Sequence, residues 1–137
     1  MHKDTTIPLA ISSCPNDIFI FYGFIKGKIP HQGIVVEPLC TDIEQLNMLA
    51  LKGFKGIIKT SFGIYRNLQQ HYSLLDAGAA LGYNCGPLLV KNPNVLGTDV
   101  SKFKIAIPGK HTTAYLLLKY FYPKVNDLHE VLFSNIE

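Results

Sequence analysis

Short apolar runs recur along this chain, and several of them end in a small polar cluster followed at once by a helix-forming stretch. That rhythm constrains the fold most, because a strand closed by a polar turn and a helix is the βα unit of a largely parallel sheet. Ile7–Ser12, Gly33–Leu39, Gly56–Thr60 and Phe103–Ile107 read as strands. Cys85–Val90 and Glu130–Phe133 are further strand candidates. Pro8 places the start of the first strand at a sheet margin. Helices are expected over Ile18–Lys26, after an N-cap at Asn16-Asp17, and from Ser61 to about His71. A third should run over Thr112–Tyr122, stopped by Pro123. Ile18–Lys26 is apolar almost all round, so the sequence predicts deep packing for it. The strongest helix signal follows Thr41, where Thr41 and Glu44 have capping-box spacing. Ile43, Leu46, Leu49 and Ala50 then form one apolar stripe, and Gly53 ends it.

Composition narrows the function classes. Hydrophobic residues are 47% and charged residues 17% of 137, so a folded body is expected. Thirteen basic residues give a net charge of +3 but form no run, which argues against nucleic acid as a partner. Cys14, Cys40 and Cys85 are far apart and odd in number, which suits reduced thiols in a cytoplasmic protein rather than a disulfide framework or zinc knuckle. Ile11–Cys14 has a superficial likeness to a lipoprotein cleavage box, with Lys3 as a possible start. Pro8 breaks the apolar stretch before it, and that stretch is short for a signal peptide. No membrane segment is expected. No His or carboxylate pair has metal-ligand spacing, so no metal is expected.

Chemistry is expected at three strand-to-helix junctions: Ser12–Asp17, Lys59-Thr60-Ser61, and Pro108–Thr113. Ligands of open α/β sheets bind beyond the carboxyl ends of the strands, where helix-start amides are unpaired and electropositive. Such places suit a carboxylate or a polyhydroxylated small molecule, although each junction taken alone reads first as an ordinary cap. Gly109-Lys110 invites comparison with a phosphate loop, but the earlier glycine is missing and His111 interrupts the order, which excludes ATP binding by that device. Cys14 reads as a nucleophile or as a small buried hydrophobe. His111 is the one histidine at a candidate site; His2, His31, His71 and His129 read as surface groups. Gly82–Pro87 is either a close backbone approach to a ligand or a tight turn.

Taken together, the junctions resemble a known set. Ser13–Phe21 is similar to the opening S-P-C-P-N-D-T-F-I-F motif of the 1,4-dihydroxy-6-naphthoate synthases. Asp42–Asn47, Lys59-Thr60-Ser61, Ala79–Gly82 with Cys85–Leu88, and Ile107–Leu117 follow in that family's order. Ser13 and Ile18 replace the proline and threonine usual there. The resemblance implies a type 2 periplasmic-binding-protein-like fold of two α/β lobes with a ligand cleft between them. It implies a cofactor-free lyase that opens cyclic dehypoxanthinyl futalosine to the dihydroxynaphthoate and dihydroxyacetone, in the futalosine route to menaquinone. Carried onto this chain, it assigns substrate binding to Asn16, Asp17, Lys59, Thr60, Ser61, Thr112, Thr113 and Ala114.

The resemblance also implies that the family's general base, a histidine in an H-E-S/T-R-like stretch, lies beyond Glu137, and that His111 does not replace it. Residues 1–92 then correspond to lobe one without its returning elements and 93–137 to the first part of lobe two, with the 91–94 turn as the crossing. The fold is expected to be truncated within the second lobe and incomplete for catalysis. Self-association or a complementing C-terminal half is the expected partner. Two alternatives remain at this point, a solute-binding protein of the same fold and the related chorismate dehydratase.

Overall fold

The computed structural model describes residues 5–30 and 32–136, so His2, Lys3 and His31 lie outside the described residues. It is a mixed α/β structure with two parallel sheets. In the first, β1 (Thr5–Ser12) lies between β2 (Ile34–Thr41) and β3 (Ile57–Ile58). β1 runs in register with β2 from Thr5 opposite Ile34 to Ser12 opposite Thr41, whereas β3 pairs only at Leu9 and Ala10. In the second, β4 (Ile105–Ile107) pairs with β5 (Leu128–Glu130).

Pro8 is therefore in the central strand and not at a margin. Lys59 N–H donates to the Ala10 carbonyl at 2.8 Å. Even-numbered β1 residues thus turn their backbone toward β3, and Pro8 precedes the point where that ladder begins. No ladder hydrogen bond is lost to its missing N–H.

Four α-helices follow strand ends: α1 (Pro15–Ile25), α2 (Ile43–Leu51), the single turn α3 (Tyr65–Leu68) and α4 (Thr113–Phe121). α1 starts earlier than expected. Cys14 takes the cap position without a side-chain bond, and Pro15, with no N–H to satisfy, takes the first turn. Asp17 lies inside that first turn and is the one buried residue of α1, so the expected deep packing is not found. Phe19 is 85% exposed, because no element among the described residues covers the outer face of α1. α2 is capped by Asp42, not Thr41; its carboxylate accepts from Glu44 N–H at 2.9 Å. Thr41 instead bonds Gln45 through its hydroxyl.

Ser61–His71 is a 3-10 turn over Phe62–Ile64 followed by α3, much shorter than the helix expected. Cys85–Val90 is irregular and exposed, since no strand among the described residues lies beside it to satisfy its backbone. The last strand is earlier than Glu130–Phe133. A strand extends only as far as its partner, and β4 ends at Ile107; residues 133–135 form a 3-10 turn.

One core joins Ala50 of α2 with Ile64 and Leu68, with Ile58 and Tyr72 packed against them; Leu9, Ala10 and Ile11 of β1 and Leu46 of α2 are buried as well. Tyr72 closes its end, with its hydroxyl 2.7 Å from the Phe54 carbonyl and 3.0 Å from that of Ala50. Burial raises the Tyr72 pKa. A second core holds Ile105, Ile107 and Val125 against Tyr115, Leu118 and Leu128. No helix among the described residues is long and apolar enough to cross a membrane.

Candidate functional site

The carboxyl ends of β1, β3 and β4 carry the three junctions. At the tip of β1, the Asp17 carboxylate accepts from the Ser12 hydroxyl at 2.7 Å and from Ser12 N–H at 3.2 Å. The Lys59 ammonium forms an ion pair with the same carboxylate. Asp17 is 4% exposed in its side chain and Lys59 22%, so the pair is largely removed from water and each charge depends on the other. Lys59 is thereby held at the end of β3, with part of its side chain still accessible. Asn16, one residue before Asp17, is exposed, as is Ser13.

Thr60 and Ser61 continue from Lys59 and are half-buried. All three line a cavity of about 730 Å³ beside β3, whose walls include Phe62, Tyr65 and Leu74. Asn16, Asp17, Thr112, Thr113 and Ala114 do not line it. The arrangement offers an ammonium, two hydroxyls and an apolar wall, which suits an acidic group on a flat apolar body.

At the β4 junction, Thr112 is buried. Its hydroxyl donates to the Gly109 carbonyl at 2.8 Å and accepts from Tyr115 N–H at 3.3 Å, so it caps α4. Thr113 reaches back to the first half: its Oγ1 accepts from Gly63 N–H at 3.0 Å. Gly63 allows this approach, since a Cβ there would stand 3.1 Å from the Thr112 carbonyl oxygen and the Thr113 backbone. Ala114 is half-buried beside it.

The site also contains groups that the strand-to-helix pattern did not single out. Asn47, fully buried on α2, accepts from Ser61 N–H at 2.8 Å and donates to Ser61 Oγ at 3.0 Å. It also donates to Glu44 at 3.3 Å. Glu44 crosses to the second half, accepting from His111 N–H at 3.2 Å and meeting the His111 ring at Nδ1. Gly109 (φ +136°) lies against the Glu44 carboxyl, which a Cβ would meet at 2.3 Å. One signal for Asn47 was present, a polar residue in register with Leu46 and Ala50 on a buried stripe. Among the described residues no group of three or more His, Cys, Asp or Glu is placed to hold a metal ion.

The structure thus brings Asp17, Lys59, Thr60 and Ser61 together at the first sheet, with Thr113 and Ala114 adjoining through Gly63. It leaves Asn16 at the surface and commits Thr112 to its helix.

Comparison with known proteins identifies the family of the chain. The family model described as menaquinone biosynthesis matches residues 7–135. The chain is 38% identical over 113 residues to a 1,4-dihydroxy-6-naphtoate synthase of Thermus thermophilus, covering 82% of this chain and 40% of that one. It is 32% identical over 114 residues to the Streptomyces coelicolor protein of the same name, covering 83% and 39%. The crystal structure of protein AF1704 from Archaeoglobus fulgidus superposes with a TM-score of 0.87 at 31% identity, over 98% of this chain and 49% of that one. The chain therefore spans about 40% of the length of the curated relatives it matches. With matched residues running from β1 to the turn after β5, the chain belongs to the menaquinone-biosynthesis family.

Proposed function

We propose that this chain supplies the substrate-holding part of a 1,4-dihydroxy-6-naphthoate synthase, a cofactor-independent, cytoplasmic lyase acting on cyclic dehypoxanthinyl futalosine. The fold in this reading is the two-lobed type 2 periplasmic-binding-protein-like one, with residues 1–92 in lobe one and 93–137 in lobe two. The observation that carries it is the bond from Gly63 N–H to Thr113 Oγ1, two residues beyond Ser61. It makes Lys59-Thr60-Ser61 and Thr113-Ala114 adjoining rims of one region. Lys59 supplies the charge for a substrate carboxylate, Thr60 and Ser61 supply hydroxyls, and Asp17 fixes the Lys59 ammonium. Ring opening needs a base to remove a proton. That base comes from outside residues 1–137 in this reading, and the chain's own groups bind and orient.

The test is calorimetric titration of the 137-residue chain with 1,4-dihydroxy-6-naphthoate under anaerobic conditions. Saturable binding is expected, weakened about tenfold in Lys59→Met, the usual loss for a charge-assisted hydrogen bond. A chain that binds no naphthoate, or binds it equally well without the ammonium, refutes the assignment. Turnover of cyclic dehypoxanthinyl futalosine by this chain alone would refute the external base.

A further inference from the structure

The Asp42–Asn47 block is part of the resemblance, yet none of the binding roles above uses it. Its two inward polar groups face different partners. Asn47 has no exposed surface and applies both ends of its amide to Ser61, accepting from the backbone N–H and donating to the hydroxyl. Glu44, one helical turn earlier on the same face, receives the Asn47 amide at 3.3 Å and holds the His111 backbone and ring. A continuous hydrogen-bonded path therefore runs from Ser61 through Asn47 and Glu44 to His111. It joins the junction after β3 to the junction after β4.

We propose that Glu44 and Asn47 are positioning residues that lock these two junctions at a fixed spacing, with His111 as the far end of the link. The physical argument is one of alternatives. Asn47 is fully buried and the Glu44 side chain only 17% exposed, so losing partners is costly for each, and each is held to the arrangement that satisfies it. Ser61 cannot shift without stranding the Asn47 amide. The 109–111 turn cannot withdraw without leaving Glu44 short of two donors. Gly109 fits the same account, since its lack of a side chain lets the turn close on the Glu44 carboxyl. A ligand held by both junctions then meets a preformed gap, and the ordering cost at binding falls. This inference rests on the reading of the two junctions as ligand-binding rims.

The experiment separates the two claims by reading the link first without ligand. In amide-resolved NMR spectra of the 15N-labelled 137-residue chain, Asn47→Ala is expected to move the signals of Gly109, His111 and Thr112, which Asn47 does not touch. Glu44→Ala is expected to move Ser61. Binding of 1,4-dihydroxy-6-naphthoate is then measured for Asn47→Ala, His111→Ala and the double variant. Each single change is expected to weaken binding about tenfold, the order transmitted by such networks, and the double change by much less than the product. Glu44→Gln, which keeps an acceptor for His111 N–H, should recover most of what Glu44→Ala loses.

Spectral changes confined to the altered residue's own junction, or losses that multiply, overturn the link even where the wild-type chain binds. A wild-type chain that binds no naphthoate refutes the functional reading, while the ligand-free spectra still decide the link. If Asn47→Ala does not fold, the Glu44 pair, read at Ser61, decides it.

Discussion

α1 and α2 each follow a strand of the same parallel sheet, and they use their residues in opposite ways. α1 is the more apolar helix, yet Phe19 is 85% exposed and Ile18, Ile20 and Tyr22 are exposed as well. α2 carries more polar side chains and buries Leu46, Asn47 and Ala50 almost completely. Burial is decided by what stands opposite a face, and only secondarily by what the face is made of. α2 has β1 on one side and the Ile64–Leu68 segment on the other. Both helices bury a polar residue, and in both it serves a junction: Asp17 holds Lys59, and Asn47 holds Ser61. The apolar neighbours supply the dry surroundings in which those polar contacts are strong.

The contrast is broken most sharply at Leu46, which has no exposed surface. Leu46→Ala leaves a cavity between α2 and β1, and a loss of about 3 kcal/mol in urea unfolding is expected. A loss below about 1 kcal/mol would mean that α2 packs no more tightly than α1.

Next in size is the polar contact of α1. Asp17→Asn preserves the shape and an acceptor for Ser12, but leaves the Lys59 ammonium without its counter-charge. Breaking a buried pair on one side is costly. With Lys59 partly open to water, about 2 kcal/mol is expected, again from urea unfolding. The double variant Asp17→Asn with Lys59→Met should recover part of that loss. If it recovers none, Asp17 matters through Ser12 and not through Lys59.

Where structure was legible in the sequence, the information was local. The start of α4 at Thr112–Thr113, the stripe of Leu46 and Ala50, and the strand ending at Ser12 each depend on residues within a few positions. The misplaced features depended on distant partners. Cys85–Val90 has a strand's composition, but a strand exists only beside another. The reach of β5 was set by β4, some twenty residues away. The exposure of α1 follows from what is absent opposite it, which periodicity does not register. The site divides likewise. Lys59, Thr60, Ser61 and Thr113 were legible as junction residues, whereas Glu44 meets His111 across a separation of 67 positions. Asn47 alone carried a usable sign, a polar group on an apolar stripe.

The smallest expected effect lies at Phe19, and it tests the other side of the comparison. With 85% of its surface in contact with solvent, Phe19 has little burial to lose. Phe19→Ser is expected to change unfolding stability by no more than about 0.5 kcal/mol, as for surface positions generally. Leu46 and Phe19 are both large apolar side chains on helices of one sheet, so their ratio reads the environment directly. The measurement is made at several protein concentrations. A loss near that of Leu46→Ala, growing with concentration in the wild type, would show that a second copy covers α1 in solution. A small loss, unchanged on dilution, would leave the face bare and confirm that the difference between the helices belongs to the single chain.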